Sequence, residues 1–125
     1  MIVPCEVAVK SVVPAVKALM ATELVEKHGL KQDEVAEILG ISQSAVSRYA
    51  GRTRGHIVRI SELKDVIPLI NKMTALLLDG DHHREELMAL FCQTCATVRK
   101  SGVTCPLCQR ADPKVEIEQC RFCLT

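Results

Sequence analysis

Six cysteines near the C-terminus stand as three Cys-x-x-Cys pairs: Cys92/Cys95, Cys105/Cys108 and Cys120/Cys123. Thiolates are soft ligands, and two of them with two residues between can meet one metal ion from a single tight turn. A second pair completes a four-sulfur shell. That chemistry suits structural Zn2+ or, as the alternative sulfur-only set, an iron–sulfur cluster. All six cysteines are candidate metal ligands. Since one site needs four, either a pair is left over or the metal species is not a simple mononuclear zinc. The seventh, Cys5, has no Cys-x-x-Cys partner and reads as a small buried apolar residue. His82 and His83, side by side in a helical first turn, read as solvent-exposed rather than as ligands.

The tail has few apolar residues, chiefly Val98, Val103, Leu107, Val115, Ile117 and Phe122. Burial cannot be its main source of order. Structural zinc contributes about 10–16 kcal/mol to small peptides, enough to dominate here.

A second group of residues suits nucleic-acid recognition. In the run Gln32 to Tyr49, Ala36 is small where two helices must approach, Gly40 can take a left-handed turn conformation, and Ile41 and Val46 can plug the core beneath. Ser42 can cap the following helix, while Asp33 and Glu34 suit the first turn of the preceding one. From Ser42 to Ile60 the charged residues are Arg48, Arg52, Arg54 and Arg59, with His56 and no acid. Gln43, Ser44 and Ser47 then face outward beside a cationic stretch. Short polar side chains in that position reach base edges in the major groove of double-stranded DNA while arginines hold phosphates.

Residues 30 to 55 resemble the phage-repressor (Cro-like) helix-turn-helix family through Gln32, Ala36, Gly40, Ile41, Ser42, Val46, Ser47 and Tyr49. More narrowly, Pro4-Cys5-Glu6, the run Val13 to Ala18 and the run Gly40 to Tyr49 are similar to the DNA-binding module of archaeal predicted transcriptional regulators, in some of which it is fused to a thiamine-phosphate-synthase-like domain. The tail here is too short for that domain, so thiamine sensing does not carry over. The resemblance implies a phosphate contact at Gln32 and base-edge reading at Gln43, Ser44 and Ser47, with Arg48 beside them. Lys31 stands where the wider family often has threonine or serine, which removes the usual helix cap.

The elements that must hold these groups are mainly helical. The spacing predicts one helix over Pro14–His28 stopped by Gly29, a shorter one over residues 4–12, and two around Gly40. Ile57–Ile60 reads as extended, and Ser61 as the cap of a long apolar helix that Pro68 kinks or restarts and Gly80 ends. A last helix through Leu87, Leu90 and Phe91 leads into Cys92. Beyond it Thr97-Val98, Val103-Thr104 and the Val115/Ile117 alternation suggest short strands between the cysteine pairs. The expected fold is thus mainly α: a helix-turn-helix domain over 1–60, a helical connector over 61–91 that can dimerise the chain, and a metal-stapled module with short strands over 92–125.

Composition bounds the function classes. Tyr49, Phe91 and Phe122 are the only aromatic residues of the 125, which excludes a platform that stacks single-stranded bases on rings. The net charge of +1 is unevenly spread: residues 1–60 carry eight Lys/Arg against six Asp/Glu, residues 61–91 three against six, and the tail five against three. A nucleic-acid contact is therefore sought in one patch. Nothing reads as a secretory signal or a membrane span, which places the chain in the cytoplasm and favours metal over disulfides for the paired cysteines. The leading expectation is a non-enzymatic, sequence-specific DNA-binding regulator, homodimeric, with a metal module that stabilises or senses. A general transcription adaptor whose zinc ribbon contacts the transcription machinery is the alternative. A thiol–disulfide enzyme using Cys105-Pro106-Leu107-Cys108 is a weaker third reading, because the chain lacks a βαβ pattern and an activating helix terminus.

Overall fold

The computed structural model describes residues 1–50 and 60–124, in which seven α-helices and three single 3₁₀ turns follow one another. Helix α1 (Pro4–Lys10) begins where Pro4 needs no N–H partner, and the Glu6 carboxylate accepts a bond from the Val3 N–H at 3.2 Å. Helix α2 (Val12–Glu26) is the central element, in contact with α1, α3 (Gln32–Leu39), α4 (Gln43–Ala50), α5 (Ile67–Leu78) and α6 (Arg84–Lys100). Being covered on several sides, it has apolar residues around most of its circumference rather than one stripe.

Two apolar clusters result. Val12, Val16 and Met20 of α2 join Val66, Ile70 and Met73 from the start and middle of α5, and Val98 of α6. One turn further along, Ala21 and Leu24 of α2 join Val35 and Ala36 of α3 and Val46 of α4. The leucine-rich face of α5 is thereby spent inside the chain: Leu69, Ile70, Met73 and Thr74 are buried. Pro68 sits in the first turn and restarts the helix instead of kinking it.

Several expectations are corrected. No β-strand occurs among the described residues, so the short strands assigned to the cysteine module are absent and a ribbon built on them has no basis. Thr97 and Val98 lie in α6, which continues unbroken through Cys92 and Cys95 to Lys100 because Thr94 and Val98 continue its buried face. Gly102, at φ +86°, follows its end. Thr104 precedes α7 (Cys105–Ala111), while Val115 and Ile117 fall in successive turns closed by Val115 N–H to Asp112 O at 2.9 Å and Cys120 N–H to Glu116 O at 3.0 Å. Pro113 cannot donate to a ladder, and no partner strand is near to reward extension. Ser61 does not cap the long helix; it lies in the turn Ile60–Glu62, and the remainder of the extended segment expected at 57–60 is outside the described residues. Cys5 is exposed rather than buried, since α1 turns Val7 and Ala8 inward.

Candidate nucleic-acid interface and thiol cavity

The turn between α3 and α4 is built from local chemistry. Gly40 has φ +67°, and a Cβ there would meet nothing within 4 Å, so glycine serves the backbone conformation and not a close approach. The Ile41 N–H then reaches back to Ala36 O at 3.0 Å, and Ser42 Oγ caps α4 by accepting from the Ala45 N–H at 3.1 Å. Lys31 provides no side-chain cap to α3, as its residue type implied. Glu34 compensates by accepting the Lys31 N–H at 3.2 Å, and Asp33 Oδ1 accepts the Glu34 N–H at 3.0 Å. Thr22 Oγ1 contacts Tyr49 O at 3.4 Å, tying α2 to the far end of α4.

This frame orients α4. Ala45 and Val46 point into the core, while Gln43, Ser44, Ser47 and Arg48 are exposed. Positions 43, 44, 47 and 48 fall on one side of a helix, so the four polar groups share a face. Gln32 is half-buried at the first position of α3. Arg52 and Arg54, the expected phosphate contacts, lie outside the described residues.

The structure divides the cysteines. Cys105, Cys108, Cys120 and Cys123 line a single cavity of about 280 Å³ together with Arg99 and Val115. Cys92 and Cys95 lie one turn apart on α6 and do not line it; Cys92 is exposed, and Cys95 packs against the larger core cluster. Burial pushes the Cys95, Cys108 and Cys123 thiols above their ordinary pKa, with the Arg99 guanidinium pulling each partly back. Cys105 is the first residue of α7, so the helix terminus whose absence counted against a redox enzyme is present. The raised Cys108 thiol is nevertheless the opposite of an activated one.

A second donor set joins Asp79 to His82 and His83, the pair whose sequence reads as solvent-exposed. Asp79 Oδ2 lies 2.7 Å from His83 Nε2 and 3.5 Å from His82 Nε2, with the two rings 3.9 Å apart between centroids. The hydrogen bond from His83 holds the Asp79 carboxyl below the ordinary carboxylate pKa. These three donor atoms lie within 4.8 Å of one another, a nitrogen and oxygen set that can chelate a divalent cation. His82 is exposed as expected, whereas the His83 side chain is only 26% exposed. The adjacent pair was visible in the sequence, but Asp79 meets it across Gly80, which has φ +117°.

No helix among the described residues is long and apolar enough to cross a membrane. The family model for helix-turn-helix domains matches residues 23–50, from the end of α2 through α4, so a helix-turn-helix domain is present. No curated protein and no solved structure matches the chain.

Proposed function

We propose that the protein is a non-enzymatic, cytoplasmic transcriptional regulator that reads double-stranded DNA sequence with α4, docked as phage-repressor modules dock, and carries a thiolate-held metal module at its C-terminus. The observation that carries this is the two-sided build of α4. Ala45 and Val46 lock one side into the core, while Gln43, Ser44, Ser47 and Arg48 stand together on the exposed side. Gln43, Ser44 and Ser47 read base edges; Gln32, Arg48, Arg52 and Arg54 hold phosphates. Residues 1–60 form the reader, 61–91 the connector and 92–125 the metal module, whose ligands are drawn from among its three cysteine pairs.

Gln43→Ala tests the reader. It is expected to weaken the cognate operator by about 1–3 kcal/mol, with little change on random DNA. Arg52→Ala is expected to weaken both alike and to flatten the salt dependence. Binding isotherms on both DNAs at several salt concentrations decide the matter, and equal losses on cognate and random DNA for Gln43→Ala would remove α4 as the reader.

A single small reader covers one half-site, so operator binding is proposed to use a homodimer. Since the inner face of α5 is spent within the chain, the exposed Leu78 and Met88, at 41% and 56%, are the apolar groups left near the α5–α6 turn for such a contact. Sedimentation at micromolar concentration is expected to show a dimer that Met88→Glu dissociates. A wild-type monomer with a single half-site footprint would rule it out.

A further inference from the structure

The cysteines around the cavity between α6, α7 and the C-terminal turn stand wider apart than the ligands of one zinc ion. With Zn–S bonds of about 2.3 Å, four tetrahedral thiolates stand roughly 3.8 Å apart and leave no space among them. Here the four cysteines line one cavity, and among the described residues no three cysteine sulfurs lie mutually within 4.8 Å. A cubane of four irons and four sulfides occupies the middle of its ligand set and holds the thiolates wider apart.

A second observation points the same way. Arg99 lines this cavity and hydrogen-bonds the Cys95 and Cys123 side chains, yet its Nε is buried without an acceptor. A buried N–H left without an acceptor is costly, and native structures seldom keep one without a reason. Four thiolates around a cationic iron–sulfide core make a net-negative body whose sulfurs accept N–H bonds. Such a body supplies the missing acceptor and a counter-charge for the guanidinium.

We propose that Cys105, Cys108, Cys120 and Cys123 bind one cubane [4Fe–4S] cluster, that Arg99 Nε–H donates to a sulfur of that cluster, and that Cys92 and Cys95 are not ligands to it. This deepens the metal-module reading and rests on it. The α6 pair is then free of the cluster, with Cys95 one helical turn and Cys92 two turns from Arg99, and Arg99 is the residue through which the cluster touches α6.

The test uses the full chain purified without oxygen and reconstituted with ferrous iron and sulfide, in a His82→Ala/His83→Ala background that removes the surface nitrogen donors. About four irons and four sulfides per chain are expected, with the broad visible absorption of a cubane. Cys92→Ser/Cys95→Ser is expected to retain that content and Cys105→Ser/Cys123→Ser to lose it. Arg99→Met should keep the iron but move the midpoint potential, followed by mediated potentiometric titration, to more negative values, because removing a cation disfavours the added electron. Arg99→Lys, which keeps the charge, should recover most of the shift and controls for a folding defect in the methionine variant. One tightly held zinc in place of iron and sulfide would overturn the cluster, as would loss of iron from Cys92→Ser/Cys95→Ser. An unchanged potential in Arg99→Met would overturn the role of Arg99. Absence of any bound metal in all forms would sink the metal-module reading itself, a result distinct from the zinc outcome.

Discussion

Leu24→Ala is expected to destabilise the fold by about 2–5 kcal/mol and to abolish operator binding well below the melting temperature of the parent protein. Leu24 is fully buried in α2 and belongs to the cluster with Val35, Ala36 and Val46 that sets the angle between α3 and α4. Removing most of its side chain leaves a void where α2, α3 and α4 meet. Domains of this size keep only about 5–15 kcal/mol in total, so the loss is a large fraction of the margin. Val9→Ala in α1 is the control. Val9 is 63% exposed and has no part in the proposed dimer contact, and the change should cost well under the buried substitution. Thermal and urea unfolding of the two variants, read beside operator titrations, measure both effects. Similar small losses at both positions would mean that α2 does not support the reader as described.

The helix-turn-helix was legible in the sequence because its signals are local. Gly40 for a left-handed turn, Ser42 for a cap and Ala36 for a close approach each act through neighbours within a few residues, and each takes that part in the structure. Pro68 and Gly80 were legible for the same reason, one fixing a helix start and the other following a helix end. The end of α6 was not. Leu87, Leu90, Phe91, Thr94, Cys95 and Val98 keep the three- and four-residue spacing of a buried helical face, and all of them are buried or partly buried. Treating Cys92 and Cys95 as ligands in a knuckle hid that period, since a cysteine also packs as a small apolar group. The Val115/Ile117 alternation misled in the opposite direction: both residues line the thiol cavity from consecutive turns, and a two-residue period of such length carries no strand without a partner. Which four cysteines share a cavity could not be read from three identical pairs, because that depends on α7 and the terminal turn folding back toward Arg99 across sequence separations no local rule reaches.

Replacing Cys105 and Cys108 by serine is expected to have the largest effect of any substitution here, and to confine it to the tail. The two residues open α7 and stand on one wall of the thiol cavity, so no rearrangement of the remaining pairs restores the same ligand set. Metal binding to such small modules is worth about 10–16 kcal/mol and is largely folding free energy. Residues 101–124 bury only Thr104, so without metal little else orders them. The variant should therefore lose its metal and become protease-sensitive beyond α6, while α1 to α5 keep their helical signal and their cooperative transition. What this does to DNA binding depends on α6. Its Val98 is fully buried against α2 and α5, and its Leu87 and Phe91 line, with Leu39 of α3, a cavity of about 380 Å³ beside the reader. A metal-dependent shift of α6 thus has a packed route to α3, and only a difference in operator affinity between the two forms turns that route into control. Titrating one operator with metal-loaded protein, metal-stripped protein and the serine variant at one salt concentration measures that difference. A sensor requires the last two to agree with each other and to differ from the first by at least about fivefold, the lower end of ordinary coupling. Three coincident isotherms would confine the metal to holding the tail together.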